Sequence, residues 1–173
     1  MLFKKPVSFD EQFTTLFNSQ YVRIFRFLDR ACGDPDAAED IAQDAFIRLY
    51  ARGGMPDEPG AWLITVSMNL LRNMKTSKRR RDILLNLNPG EHGHSSQSPA
   101  ADQETLDAES QASVRRTLDS MPERERNILL LRAEGFRYAE IANALHINEA
   151  SVGKLLSRAQ VVFRERYESA NAH

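Results

Sequence analysis

Between residues 59 and 82, Trp62, Thr65, Asn69, Asn73, Thr76 and Arg80 recur at steps of three and four. On a helix that spacing gathers them into one stripe. An aromatic ring, two amides, hydroxyls and flanking cations suit single-stranded nucleic acid: ring faces stack on bases, amides bond base edges and cations pair with phosphates. The cations are concentrated here, because residues 71–82 hold Arg72, Lys75, Lys78, Arg79, Arg80 and Arg81 against Asp82 alone, a local net charge of +5. The same residues are also compatible with a core tryptophan followed by a solvated charge run.

A second chemistry-bearing group is acidic. Asp36, Glu39, Asp40, Gln43 and Asp44 share the polar side of an earlier helical stretch, with Phe46 and Ile47 beside them. Two carboxylates can do acid–base work. These lie on one helix with no partner base and no metal-ligand spacing, so catalysis is not expected. Mixed acidic and apolar groups fit a protein-docking surface better than a plain solvated face.

The third group begins at Tyr138. Ile141 and Leu145 are apolar at i,i+4, Ala142 is small enough for a second helix to approach, and Leu145 to Asn148 forms a short turn. Val152 and Leu156 anchor the next helix, which leaves Ser151, Lys154, Ser157 and Arg158 free to enter a major groove. That is the pattern of a helix-turn-helix. His146 occupies the turn position where glycine is common, and histidine is among the few other residues that reach left-handed backbone readily. The alternative is two packed helices of an ordinary bundle.

The elements that position these groups are helical. Phe9, Phe13, Leu16, Phe17, Tyr21, Ile24 and Leu28 predict a long first helix. Asp34-Pro35-Asp36 reads as a cap, a first-turn proline and a first-turn acid. The helix it opens turns Ala38, Ile41, Ala45 and Leu49 inward and stops at Gly53-Gly54 and Pro56. A third helix starts near Pro59-Gly60, with Leu63, Val66, Leu70 and Met74 as its expected core stripe. Residues 86–101 lack periodicity and are rich in Ser, Pro and Gly, which predicts a flexible linker. Sixteen such residues span about 22 Å as a coil and about 55 Å when stretched. The expected architecture is therefore all-α, with one small domain over 1–85, the linker, and a second over 102–173 containing the helix-turn-helix.

The 173 residues carry 23 Lys+Arg against 24 Asp+Glu, a net charge of −1. That average hides the basic cluster and an opposing stretch, 83–114, which has five acids and no Lys or Arg. Hydrophobic residues at 42% fit a globular chain. No apolar run approaches the roughly 20 residues of a spanning helix. The first residues lack a signal-peptide core, and one cysteine, Cys32, gives no internal disulfide framework. A cytoplasmic protein without membrane insertion is the expectation. Cys32 reads as a packed small residue rather than a redox sensor. His92-Gly93-His94 lacks further ligands, so neither a metal nor a cofactor is expected.

Together these residues resemble the extracytoplasmic-function group of bacterial RNA polymerase sigma factors, within the sigma-70 family. Ala37 to Tyr50 is similar to the family's core-polymerase-binding helix. Pro59 to Arg81, including Trp62-Leu63 and Asn69, is similar to the segment that melts the promoter. Met121-Pro122-Glu123-Arg124-Glu125-Arg126, the helix-turn-helix and Arg158-Ala159 are similar to the region that reads the minus-thirty-five element. The resemblance implies an alternative sigma factor with no chemistry of its own. Asp36, Glu39, Asp40, Gln43, Asp44, Phe46 and Ile47 would then meet the clamp helices of the polymerase's largest subunit. Trp62, Asn69, Asn73, Lys75, Lys78, Arg79, Arg80 and Arg81 would meet the minus-ten element. Arg124, Ser151, Gly153, Lys154, Ser157 and Arg158 would meet the minus-thirty-five element. A cognate anti-sigma factor is a further implied partner.

The chain departs from the family pattern at Asn73, at Thr76-Ser77, and at Gly153 and Leu155. Gly153 in a helix costs about 1 kcal/mol relative to alanine and leaves room for close approach to DNA. The main rival is a sigma mimic that sequesters an anti-sigma factor without binding DNA. A dimeric helix-turn-helix repressor is a further rival, but no apolar dimer face stands out.

Overall fold

Ser8 opens the first helix with a reciprocal pair of bonds. Its Oγ accepts from the Glu11 amide at 3.3 Å and its own amide donates to Glu11 Oε2 at 3.1 Å. The helix, α1 (Phe9–Cys32), ends where Gly33 turns left-handed at φ 69° and donates to the Asp29 carbonyl. Asp34 then caps α2 (Pro35–Arg52) by accepting from the Ala37 amide at 3.1 Å, with proline in the first turn as expected. Gly53, at φ 72°, closes α2. The computed structural model describes residues 8–87 and 106–172.

The third helix, α3 (Pro59–Leu87), has 29 residues and so extends for about 43 Å. It runs two residues past the expected limit of the first domain, within the usual fraying of a helix end. The remainder of the expected linker, with His92 and His94, lies outside the described residues. The chain continues with α4 (Leu106–Ser120), α5 (Glu123–Ala133), α6 (Tyr138–Leu145) and α7 (Glu149–Asn171). Among the described residues there is no strand, and no helix is long and apolar enough to cross a membrane.

Within the first unit, α1 packs on α2 and both pack on α3. Ala38, Ile41, Ala45 and Leu49 of α2 are buried against Ile24, Phe27 and Leu28 of α1, as the periodicity predicts. The core stripe of α3 differs in part from its expectation. Leu63 is buried, whereas Val66, Leu70 and Met74 are only half-buried; Ile64, Met68 and Leu71 are the fully buried positions beside it. The reason is a third neighbour. The most extensive partner of α3 is α6, so the helix is covered on two sides and its apolar surface is wider than one stripe.

Consequently the two units share a single core. Ile24, Phe27 and Leu28 belong to the same buried cluster as Ile128, Leu131, Phe136 and Ile141 of the second unit. Phe136 is completely enclosed, and the Arg23 guanidinium of α1 lies 4.3 Å above its ring.

Candidate nucleic-acid and protein interfaces

The acidic side of α2 is open. Asp36, Glu39, Asp40 and Gln43 are exposed, and Asp44 is half-buried. Gln43 Nε2 donates to Glu39 Oε1 at 3.0 Å, and Asp44 pairs with Arg48 at 3.1 Å. Ile47 stands 64% exposed next to them. Phe46 needs a correction, because it does not face outward with these residues. Only 3% of it is exposed. The ring is covered by the aromatic ladder of α1, edge-on to Phe17 at 5.0 Å and to Phe13 at 6.1 Å.

Phe46 instead forms part of the floor of a cleft of about 450 Å³ between α1 and α2, with Phe13, Phe17, Gln43, Ile47, Tyr50 and Ala51. Phe17 and Tyr50 keep 37% and 55% of their surface exposed. The sequence reads Phe13 and Phe17 only as part of the apolar face of α1 and Tyr50 only as the end of the helical stretch from Ala37; their meeting in one cleft was not foreseen. Four aromatics at steps of four (Phe9, Phe13, Phe17, Tyr21) were the available signal, since a core stripe rarely needs so many. The result is an apolar cleft flanked by carboxylates, the composition of a protein-docking site.

Along α3 the predicted stripe divides. Asn69, Asn73, Thr76, Lys78, Arg79, Arg80 and Arg81 are exposed, while Trp62, Thr65 and Lys75 are half-buried. Trp62 packs against the core. Thr65 and Thr76 donate back to Ala61 and Arg72 carbonyls at 2.7 and 2.9 Å, and Asn69 Oδ1 accepts from Arg72 Nη1 at 3.1 Å. Lys75 Nζ donates to Glu123 Oε1 at 2.7 Å. The basic end of α3 is thus open, while its first half is held by the second unit.

The helix-turn-helix forms where expected. Ile141, Ala142, Val152 and Leu156 are buried and Leu145 is half-buried against them. His146 adopts φ 53° and ψ 49°, the left-handed turn that histidine tolerates. Asn148 caps α7 by accepting from the Ala150 amide at 2.9 Å. Ser151, Lys154, Ser157 and Arg158 are exposed along the start of α7, as is Arg124 on α5. A Cβ on Gly153 would meet only Tyr138 Cε2, at 3.7 Å. Packing therefore does not demand glycine there.

Sequence reasoning missed a set of polar contacts between the two units. Arg23 Nε donates to the Glu134 carbonyl at 2.9 Å, and Arg30 pairs with the Glu134 carboxylate at 2.6 Å. Arg72 Nη2 donates to the Ala144 carbonyl at 3.2 Å, and Arg137 pairs with Glu58 at 3.1 Å. Glu140, buried at 5% exposure, accepts from the Arg137 amide through Oε2 at 2.7 Å. Its other oxygen lies over Gly60, at the positive N-terminal end of α3. Partners 48 to 111 residues apart leave no trace in local periodicity. The hydrogen bond from Lys75 holds the Glu123 carboxyl below its ordinary pKa. The ion pairs and hydrogen bonds to Glu140 and Glu58 raise that of Arg137. Among the described residues no cluster of His, Cys, Asp or Glu is arranged to hold a metal ion.

Comparison with known proteins identifies the family. Residues 16–81 match sigma-70 region 2, and residues 111–159 match sigma-70 region 4. The RNA polymerase sigma-H factor of Pseudomonas aeruginosa is 30% identical over 156 residues, covering 83% of this chain and 77% of that one. A probable RNA polymerase sigma factor, RfaY, of Xanthomonas campestris is 33% identical over 141 residues, covering 76% of this chain and 34% of that protein. The ECF RNA polymerase sigma factor SigE of Mycolicibacterium smegmatis is 28% identical over 148 residues, covering 83% and 56%. The chain therefore spans about a third of one of these relatives and just over half of another. The sigma factor RpoE of Bartonella quintana, solved in complex with the anti-sigma factor NepR, shares the fold with a TM-score of 0.65 at 21% identity, over 91% of this chain and 98% of that one. The chain belongs to the extracytoplasmic-function group of the sigma-70 family.

Proposed function

We propose that this chain is an alternative sigma factor, which binds core RNA polymerase and directs promoter-specific initiation in the cytoplasm. The observation that carries the reading is the order of parts on one chain: an acid-flanked aromatic cleft, a helix with a basic end, and a helix-turn-helix whose reading face is open. Residues 1–85 act as the polymerase and minus-ten unit, 86–101 as the tether and 102–173 as the minus-thirty-five unit.

Asp36, Glu39, Asp40, Gln43, Asp44 and Ile47 meet the clamp helices of the largest polymerase subunit, with Phe46 supporting the cleft from below. Trp62, Asn69, Asn73, Lys75, Lys78, Arg79, Arg80 and Arg81 engage the minus-ten element. Arg124, Ser151, Gly153, Lys154, Ser157 and Arg158 engage the minus-thirty-five element. Each unit alone makes few contacts, and joining two weak modules on one DNA raises the combined affinity. An anti-sigma factor is a further partner on this reading, supported by the RpoE–NepR complex.

The test is co-elution with core polymerase on size exclusion. Wild type is expected to co-elute, and Asp40→Lys with Ile47→Glu to lose about tenfold or more in affinity, the scale of removing one interface anchor. Equal binding by the variant would overturn the assignment of α2.

A further inference from the structure

The exposed stripe of α3 carries two amides, and they are not held alike. Asn69 Oδ1 accepts from Arg72 Nη1 at 3.1 Å, one turn along the same helix. Asn73 has no side-chain partner among the described residues and can present either end of its amide. A guanidinium has only donors and no acceptor, so the amide end that faces Arg72 must be the oxygen. The Asn69 Nδ2 amine is therefore turned away from Arg72, on a residue that is itself exposed. Both partners belong to α3, although the half-buried Arg72 also reaches the Ala144 carbonyl through Nη2 at 3.2 Å.

What a fixed amide can read follows from the edges of the bases. A melted strand exposes its Watson–Crick and Hoogsteen edges to side chains. An amide with both ends free suits adenine, because it donates to a ring nitrogen and accepts from the N6 amine. With Oδ1 already engaged by Arg72, Asn69 offers the strand its N–H donors. Two bases place acceptors side by side for such a group: cytosine through O2 and N3, and guanine through O6 and N7. Adenine sets its N6 amine beside both N1 and N7, and would meet Nδ2 donor against donor. Thymine sets N3–H between its two carbonyls.

We propose that Arg72 is a positioning residue for promoter reading: it holds the Asn69 oxygen, so that Asn69 selects a base with two adjacent acceptors at one position of the melted minus-ten strand and rejects adenine there. This rests on the sigma-factor reading. Arg72 acts as a donor to its neighbour, whereas Lys78, Arg79, Arg80 and Arg81 have no partner among the described residues and are free to meet phosphates. Asn69 thus reads one kind of edge, and the unheld Asn73 tolerates several.

The test assembles the full-length chain with core RNA polymerase, supplies a promoter library randomised across the minus-ten element, and counts transcripts by sequence. Asn69→Asp, isosteric but without N–H donors, identifies the position read as the one whose base preference changes. At that position wild type is expected to favour cytosine or guanine over adenine by about tenfold, the scale of one good bidentate contact. Arg72→Met keeps the length of the side chain and removes the donor. It is expected to cut the adenine penalty there to about twofold or less and to leave other positions as they were. Arg72→Lys restores a donor and is expected to recover most of the penalty. A merely structural or phosphate-attracting role for Arg72 would lower all promoters alike and leave the base profile unmoved. Adenine favoured by wild type at the Asn69 position overturns the proposal without any variant of Arg72. An unmoved profile in Arg72→Met, or no recovery in Arg72→Lys, would overturn it as well and leave the sigma-factor reading standing. No promoter-dependent transcript from wild type would refute that reading itself, and the role of Arg72 with it.

Discussion

Glu140 and Gly60 occupy mutually exclusive space: a Cβ on Gly60 would lie 2.5 Å from Glu140 Oε1. The carboxylate cannot simply swing aside, because Oε2 is bound to the Arg137 amide at 2.7 Å and the side chain is buried. Gly60→Ala thus sets a steric cost against a gain of about 1 kcal/mol in helix propensity. The clash is expected to win, with a net destabilisation of about 1–2 kcal/mol by urea unfolding. Stabilisation by Gly60→Ala would show that the two units do not meet here.

Phe136 tests the shared core. It is fully enclosed between the units, beneath the Arg23 guanidinium. Phe136→Ala is expected to cost about 3–5 kcal/mol. It should also convert a single cooperative urea transition into two, one for each unit. A single transition shifted by under about 1 kcal/mol would contradict the contact.

Cys32 is half-buried at the end of α1, packed against the core with its thiol directed to the Asp34 carbonyl at 3.3 Å. Burial pushes its pKa up, and the nearby Asp34 and Asp29 charges act in the same direction. The thiolate is the reactive form. Alkylation of native protein near neutral pH should therefore be slower than for an exposed cysteine, and should recover in urea. Rapid native alkylation would contradict this packing and favour a sensor role.

Glu123 gives the contact between the units a pH dependence of defined sign. Its carboxyl titrates below the ordinary glutamate value because it accepts from Lys75. A depressed carboxylate stabilises the folded form at pH above its unfolded value, and that contribution disappears as pH falls through the depressed value. Wild type should lose more stability than Glu123→Gln between mildly acidic pH and the far side of the glutamate range. The difference should shrink in high salt, because both groups are partly exposed. Parallel pH profiles for the two proteins would contradict the pairing.

The sequence made local structure legible wherever a residue type answers to one backbone demand. Asp34-Pro35 and Gly53 bracket α2 as they must, and His146 sits in left-handed backbone where the turn requires it. The buried faces of α2 and of the helix-turn-helix followed from spacing alone. The open polar side of α7 followed too, because four polar residues opposed Val152 and Leu156. Two matters were hidden. Phe46 turns inward because α1 supplies the rings that cover it, and a helical wheel of α2 does not show its neighbour. The closure of the two units depends on Arg23, Arg72 and Lys75 finding oxygens far along the chain. Each of those bases looks like an ordinary solvated cation in its own helix.

Transcription in vitro tests the central claim most directly. Core RNA polymerase from the source organism is supplied with fragmented genomic DNA, with and without the chain, and the RNA 5′ ends are mapped. The account predicts new start sites that appear only with the chain and share paired upstream and downstream elements, and it predicts that Lys154→Ala with Arg158→Ala weakens their use through the upstream element. A set of start sites identical with and without the chain would contradict it.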